Sequence, residues 1–319
     1  MGLTVPLITN DDIDWQAYME ESEPLVKVRS ASSWRSDLAE ALRGGLQITG
    51  AKLPWKGTHE NLRFRPGEIT VWAGSNNTGK SQLLGFATLG FMAQDERCCI
   101  ASFEMAPIST LLRMLRQAAQ NATPPESFSG RFSDWVDGRL WLYDQMGSVK
   151  ANKLYAVIRY CAKELKVKHF IIDNLMKCVR GEDDMNGQKD FIDMLTSLAR
   201  DCGIHIHLVH HIRKVENEDR PPNKFDIKGS GAITDLADQI LIVWRNKPKE
   251  REVKKLEAGG KSIDSDTDSK PDVALICEKN RHGEWEGRVP LWFHAPSLQY
   301  MADSRRKPIN IAPVPDLIP

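Results

Sequence analysis

The sequence predicts an α/β protein built on a mainly parallel sheet flanked by helices. From about residue 69, short β-branched or aromatic runs alternate with amphipathic stretches, as in strands joined by crossover helices. A glycine-rich loop separates the first of these strands from an apolar helix. Hydrophobic residues make up 41% and charged residues 27%, which is typical of a folded globular protein.

Seven strands and the helices between them follow from the hydrophobic pattern. The strands are predicted at 69–73, 98–103, 140–143, 169–173, 205–210, 239–244 and 273–278. Two apolar stripes at helical spacing predict core faces, made of Ile108, Leu111, Leu112, Leu115 and Ala119, and of Leu154, Val157, Ile158, Cys161 and Leu165.

The composition divides the chain into three parts. Residues 1–50 form an arm, acidic at 11–23, with one short helix in SSWRSDLAEALRGG that starts at Ser32 or Ser33 and stops at Gly44. Residues 51–302 form the α/β body, and 13 of the 26 residues at 246–271 are charged, which predicts a mobile loop. Residues 303–319 carry four prolines and are expected to be disordered or bound to a partner.

Charge and cysteine content exclude several classes of protein. Lys plus Arg and Asp plus Glu number 43 each, so an anionic ligand must be bound locally rather than by a global field. The six cysteines show no CxxC spacing and sit mostly in apolar runs, so we interpret them as reduced core residues of a cytoplasmic protein. The longest uncharged run, 81–94, is too short to cross a bilayer, so no membrane association is expected.

A phosphate-binding loop follows the first strand. Its residues match GxxxxGK[ST] and are Gly74, Ser75, Asn76, Asn77, Thr78, Gly79, Lys80 and Ser81. The glycines let backbone N–H groups point at a β-phosphate, Lys80 neutralises the β and γ oxygens, and Ser81 ligates Mg²⁺. The sequence therefore predicts a site for ATP or another NTP with Mg²⁺.

Two carboxylates end neighbouring strands near this loop. Asp173 ends the strand HFIID, from which it can reach the metal through water; the alternative is an aspartate that only caps the next turn. Glu104 follows CCIASF and can polarise the water that attacks the γ-phosphorus. The alternative for Glu104 is an N-cap of the helix that begins near Pro107.

Four histidines at 205–211 suggest a metal site, but strand alternation argues against one. Alternation places His205 and His207 on one face and His210 on the other, so a shared metal is not expected. His211, at the end of the strand, can instead contact a γ-phosphate; the alternative is a solvated loop histidine.

Several motifs in order together resemble the RecA-like motor of DnaB-like hexameric replicative helicases. They are the loop at 74–81, SFEM, HFIIDNL, VHHIRK, KGSGAITDLADQILIVWRNK and EKNRHGEWEG, which together span about 68–301. The pattern is closest to the phage helicase-primase and mitochondrial helicase branch, because His211 stands where bacterial members usually have glutamine. The first 50 residues are too short for a primase or a helical collar domain.

The resemblance assigns further roles. It implies that Glu104 is the catalytic base, that His211 senses the γ-phosphate, and that Arg281, beside Lys279, is an arginine finger supplied to a neighbouring subunit; the alternative is a solvated Lys/Arg pair. It also implies that Arg245 flanks the base, opposite Phe293 or His294. A loop lining a DNA channel is implied at Lys228, Gly229, Ser230 and Gly231, with 179–186 as a second, acidic candidate.

The resemblance predicts an ATP-dependent helicase that moves 5′ to 3′ on single-stranded DNA at a replication fork. It implies a homo-oligomer, expected to be a hexameric ring, in the cytoplasm of a bacterium or a phage-infected cell. The arm or the tail is expected to dock on a neighbouring subunit, a primase or a loader. The alternatives are a RecA-type recombinase or recombination mediator that coats DNA, and a nucleotide-gated binding module or helicase loader.

Overall fold

Ten strands form one sheet in the computed structural model, which describes residues 7–8, 30–43, 49–181, 183–213 and 219–312. The strands are β1 (Leu7–Ile8), β2 (Ile69–Gly74), β3 (Cys98–Ser102), β4 (Leu140–Tyr143), β5 (His169–Asp173), β6 (His205–His211), β7 (Gln239–Arg245), β8 (Val273–Asn280), β9 (Gly287–His294) and β10 (Gln299–Met301). Their order across the sheet is β1-β4-β3-β5-β6-β2-β7-β8-β9-β10.

The prediction of a mainly parallel α/β sheet is confirmed. All seven predicted strands are present, and β1 to β7 pair in parallel. The last predicted strand, β8, runs antiparallel to β7 and is followed by two antiparallel strands that were not predicted, β9 and β10. Because β2, β3, β5, β6 and β7 are parallel, their carboxyl ends meet along one edge of the sheet.

Helices cover both faces of the sheet. They are α1 (Arg35–Arg43), α2 (Lys80–Met92), α3 (Pro107–Ala119), α4 (Glu126–Val136), α5 (Ala151–Lys163), α6 (Met185–Cys202), α7 (Gly231–Leu236), α8 (Lys247–Ala258) and α9 (Ser265–Ser269). Apolar residues of α2, α3 and α4 fill the core on one face, and those of α5, α6 and α7 fill the core on the other. The central strands are therefore buried on both sides, which explains their continuous apolar runs.

One of the two predicted core stripes is only partly buried. The α5 stripe is confirmed, since Leu154, Val157, Ile158 and Cys161 are buried. On α3 the prediction is wrong for two positions: Ile108 is 59% and Leu112 is 55% exposed. The buried residues of α3 lie on a neighbouring face of the helix and include Met114 and Ala118.

The charged segment 246–271 contains helices α8 and α9, so the prediction of a mobile loop is wrong. Asn246 caps α8 by accepting a hydrogen bond from Lys249 N, at 3.1 Å. The Lys249 side chain is 5% exposed, and its Nζ lies 2.7 Å from Asp272 Oδ1. Its Nζ also donates to the carbonyl of Lys270 at 2.5 Å. The composition of the segment does not show that one of its lysines, Lys249, is buried and anchors the helix.

The prediction of a disordered tail is wrong for residues 303–312. Ala312 is 2% exposed, and the side chain of Gln299 bonds both the N–H and the carbonyl of Ile309. Arg306 forms an ion pair with Asp268 at 2.9 Å. Residues 313–319 lie outside the described part of the chain.

The described part of the arm contains the predicted short helix, but the predicted start of that helix is wrong. A 3-10 turn at 31–34 leads into α1, and Ser30, rather than Ser32 or Ser33, is the residue before that turn. The acidic stretch 11–23 and Gly44 lie outside the described residues.

All six cysteines are free thiols, as expected, and only Cys202 is not fully buried. Of the helices that the structure describes, none combines the length and apolarity needed to cross a bilayer.

Candidate nucleotide-binding site and its surroundings

The loop between β2 and α2 has a backbone that requires its glycines. Gly79 has φ +89°, and a Cβ there would overlap the hydroxyl of Tyr300. At Gly74 a Cβ would lie 2.6 Å from the carbonyl oxygen of Val243. Thr78 Oγ1 braces the loop by donating to Ser75 O at 2.9 Å. These contacts leave the N-terminus of the 13-residue helix α2 open toward the cleft, where it can bind an anion.

Lys80 is held at the mouth of this loop. Its side chain donates to the carbonyls of Gly74 and Ser75, at 2.9 and 2.7 Å. Burial lowers its pKa to about 8, while Asp173 and Glu104 act in the opposite direction. A lysine with this pKa is still mainly charged at neutral pH, so it can neutralise phosphate oxygens.

Asp173 lies at the end of β5 and is 8% exposed. Burial raises its pKa above the usual range, and a hydrogen bond from Ser81 partly offsets this effect. A hydroxyl and a carboxylate in contact, in a polar cleft with room for water, fit the oxygen ligands that Mg²⁺ prefers. Ser81 and Asp173 are therefore the candidate ligands, although the described residues contain no cluster of three His, Cys, Asp or Glu side chains that suits a metal.

Asn174 joins the two predicted catalytic side chains, a contact that was not predicted. Its Nδ2 donates to Glu104 Oε1 at 3.0 Å and to His211 Nε2 at 3.1 Å. The side chain of Glu104 is 50% exposed and lies 3.8 Å from the ammonium of Lys177. Glu104 does not cap α3, because the residue before that helix is Ala106. The only signal for Asn174 in the sequence is a polar residue directly after the strand HFIID.

The predicted phosphate loop, Asp173, Glu104 and His211 line one cleft of about 560 Å³. Arg113, from the polar face of α3, also lines it and was not predicted. The sheet brings these residues together, since Ser102 pairs with Asp173 and Gly74 pairs with His211 in register. The cleft can therefore hold a polyphosphate between a lysine, a helix N-terminus and an arginine, with a carboxylate beside it.

Comparison with known proteins assigns the family. The family described as "DnaB-like helicase C terminal domain" matches residues 61–302. The chain belongs to the DnaB-like helicases. The sequence-based recognition of this family and its RecA-like fold is thus confirmed.

Individual DnaB-like relatives are distant. The chain is 24% identical over 208 residues to the DNA helicase/primase of Enterobacteria phage T3, which covers 58% of this chain and 37% of that protein. It is 25% identical over 297 residues to the replicative DNA helicase DnaB of Helicobacter pylori strain 26695, covering 81% of this chain and 60% of that protein. The chain therefore spans less than two thirds of the length of these relatives.

Solved DnaB-like structures share the fold. One of them, described as an ATPase domain, gives a TM-score of 0.68 at 18% identity, covering 86% of this chain and 98% of that one. A DnaB-like replicative helicase, described with its interactions with primase, gives 0.68 at 16% identity, covering 86% and 69%.

Arg245 lies beside a second depression, of about 520 Å³, next to the phosphate loop of this DnaB-like chain. Arg245 contacts Glu250 of α8 and donates to Asn77 O at 3.2 Å. Phe293 and Tyr300 also line the depression. Of the two residues predicted opposite Arg245, only Phe293 lines this depression. His294 instead bonds Ser297 Oγ at 2.7 Å.

Arg281 and Lys279 lie at the opposite edge of the sheet, away from the cleft of their own chain. The pairing of Asn280 with Gln239, at the start of β7, places them there. Arg281 contacts Asp238, and Lys279 donates to the carbonyls of Thr234 and Asp235 at 2.8 and 2.9 Å. Neither side chain lines the cleft beside the phosphate loop of its own chain.

The predicted DNA loop is tied to His211 and to α6. Lys228 N donates to His211 O at 3.1 Å, and His210 Nε2 donates to Lys228 O at 2.6 Å. Ser230 N donates to the side chain of Gln188 at 2.9 Å, and the same side chain donates to Gly181 O at 3.2 Å. The two candidate channel loops are therefore adjacent, and one of them is bonded directly to the end of β6.

The remaining histidines of β6 are structural. His205 and His207 lie on one face in a buried cluster with His169, where burial lowers the pKa of each ring. His207 Nε2 lies 3.0 Å from His169 Nδ1. Neutral, mutually bonded rings in an aromatic environment stabilise the core.

Proposed function

We propose that this chain is an ATP-driven motor that moves 5′ to 3′ on single-stranded DNA and unwinds the duplex at a replication fork. The observation that carries the proposal is the contact of Asn174 with both Glu104 and His211. This contact brings together a carboxylate, our proposed base, and an imidazole, our proposed γ-phosphate sensor, and His211 O accepts a hydrogen bond from the backbone of the proposed DNA loop. Family membership at residues 61–302 supports it.

The geometry supports a direct route for NTP hydrolysis. Lys80 exchanges the carbonyls of Gly74 and Ser75 for the β and γ oxygens of the nucleotide. Glu104, oriented by Asn174, accepts a hydrogen bond from the attacking water and polarises it. His211 contacts the γ-phosphate. Ser81 and Asp173 would hold Mg²⁺, which neutralises charge that develops on the phosphates.

A complete site requires two subunits in this proposal. Arg281 and Lys279 face away from their own cleft, so they serve the nucleotide of a neighbour in a ring, which we propose is hexameric. Arg245 and Phe293 hold the base beside the phosphate loop.

In the arm, Leu38 and Leu42 of α1 are 62% and 75% exposed, which favours the arm over the packed tail as the surface for a neighbour, a primase or a loader. The motor would work in the cytoplasm, where the fork is.

Unwinding of a forked duplex tests this function. The protein should separate strands in an NTP-dependent reaction when the fork has a free 5′ tail, and not when it has only a 3′ tail. Glu104→Gln should bind NTP but neither hydrolyse it nor unwind, because the water loses its base. Glu126→Gln, an exposed carboxylate on α4, is the matched control and should unwind normally.

Three outcomes would contradict the proposal in different ways. Cooperative coating of DNA without strand separation would indicate a recombinase. Nucleotide binding without sustained DNA-stimulated turnover would indicate a nucleotide-gated loader. If Glu104→Gln hydrolyses NTP at the wild-type rate, Glu104 is not the base.

Lys228→Ala tests the proposed DNA path. We expect weaker single-strand binding and a reduction of about one in the slope of log affinity against log salt, because one phosphate contact is lost. The measurement is a titration of labelled oligonucleotide at several salt concentrations. Lys261→Ala, an exposed lysine after α8, should leave the slope unchanged. An unchanged slope for Lys228→Ala would place the DNA elsewhere.

A further inference from the structure

The guanidinium of Arg281 is held by two hydrogen bonds within its own chain. Its Nη1 lies 2.9 Å from Asp238 Oδ1, and its Nη2 donates to the carbonyl of Asp235 at 2.8 Å. The Asp235 carbonyl belongs to the last turn of α7, where the helix dipole favours a cation. Lys279 donates to the same carbonyl. The side chain of Arg281 remains 36% exposed, so one side of it is held and the other is free.

Asp238 is bonded at once to the strand that leads to the phosphate loop and to the turn that carries Arg281. Its N–H donates to Ile69 O and its Oδ2 accepts from Ile69 N, both at 2.9 Å. Its carbonyl accepts from Arg281 N at 2.8 Å. The Asp238 side chain is only 3% exposed. These bonds fix the position of Arg281 relative to the sheet at both backbone and side chain.

A bond to Ile69 N alone does not need a negative charge, since a neutral amide oxygen accepts the same hydrogen bond. Burying a carboxylate is costly unless a cation pairs with it. The cation here is Arg281, one of the two residues that the proposed mechanism sends to another subunit. An arginine side chain has many rotamers, and a fixed carboxylate selects one of them, in which Arg281 stays 36% exposed.

We infer that Asp238 is a positioning residue, which holds Arg281 in the orientation that meets the γ-phosphate of the neighbouring subunit. The inference rests on the proposed function, specifically on the role of Arg281 in trans. The Asp238 side chain is 3% exposed and does not line the cleft of its own chain. It acts only through Arg281, so its loss affects a site in a different chain.

Asp238→Asn tests this inference, because asparagine keeps an oxygen for Ile69 N and removes the charge that holds Arg281. We expect unchanged nucleotide affinity and KM, with kcat lowered about 10²-fold, as for an aligned group displaced by about 1 Å. Glu284→Gln removes a carboxylate from the exposed turn after Arg281 and should be indistinguishable from wild type.

Mixing separates positioning from a structural defect. In rings that combine Asp238→Asn with Lys80→Ala, the phosphate loop of the first variant meets an intact Asp238 and Arg281 from the second. With Lys80→Ala in excess, most Asp238→Asn subunits face an intact neighbour, so turnover per Asp238→Asn subunit should approach that of wild type mixed with Lys80→Ala at the same ratio, which also shows that the variant folds. A wild-type kcat for Asp238→Asn alone, or a loss that persists on mixing, would overturn the inference.

A reference mixture distinguishes this inference from the function on which it rests. If Arg281→Ala and Lys80→Ala restore activity to each other but Asp238→Asn behaves as wild type, only the role of Asp238 is wrong. If those two variants show no mutual rescue, the trans role of Arg281 and the inference fall together.

Discussion

Lys80→Ala should lower NTP hydrolysis by at least about 10³-fold, the largest single effect expected in this protein. The substitution removes the only cation bonded to the carbonyls of Gly74 and Ser75 among the described residues. It also leaves the carboxylates of Asp173 and Glu104, which both act on the pKa of Lys80, facing the phosphates without compensation. The measurement is steady-state phosphate release, together with a nucleotide-binding titration.

The matched control for Lys80→Ala is Lys168→Ala. Lys168 is an exposed lysine immediately before β5, at the far edge of the sheet. The Lys168→Ala variant should hydrolyse NTP at the wild-type rate. Retention of a tenth or more of the wild-type rate by Lys80→Ala, with an unchanged melting temperature, would show that this loop is not the phosphate site.

Arg281→Ala should bind nucleotide nearly normally and hydrolyse it about 10³-fold more slowly, the typical effect of removing an arginine finger. The reason is that Arg281 lies at the opposite edge of the sheet from its own cleft, so the substitution leaves that cleft intact. Single-turnover hydrolysis and fluorescent nucleotide binding measure the two quantities separately. Arg288→Ala, an exposed arginine on β9, should change neither. A normal rate for Arg281→Ala would exclude the finger.

The buried parallel strands could be predicted from the sequence because their patterns are local. The runs CCIAS and HFIID are buried at every position, so burial on both faces produced continuous apolar stretches. Strand β9 was missed for the opposite reason. It contains Pro290, and only Leu291 in it is fully buried, so it has neither an apolar run nor a clear alternation.

The charged segment shows the limit of composition. Thirteen charges in 26 residues predicted a loop, yet the ion pair of the buried Lys249 with the partly exposed Asp272 holds α8 against the body. The exposed residues Ile108 and Leu112 show the complementary error, since a helical stripe predicts burial but not the partner that buries it.

The phosphate site was readable because its motif is contiguous, whereas the rest of the cleft is assembled from distant segments. Asn174 bonds Glu104, 70 positions away, and His211, 37 positions away. Such contacts depend on which strands are neighbours in the sheet. Asp238 was missed for the same reason, because its pairing with Arg281 spans 43 positions.

If each working site is made by two chains, mixing Lys80→Ala with Arg281→Ala should restore NTP hydrolysis. Each variant alone should be inactive. In mixed rings, verified by pull-down of differently tagged chains, some interfaces combine Lys80 from one subunit with Arg281 from the next, and NTP hydrolysis should reappear there. If verified mixed rings stay inactive, Arg281 does not complete a neighbour's site, and the account of a shared active site is contradicted.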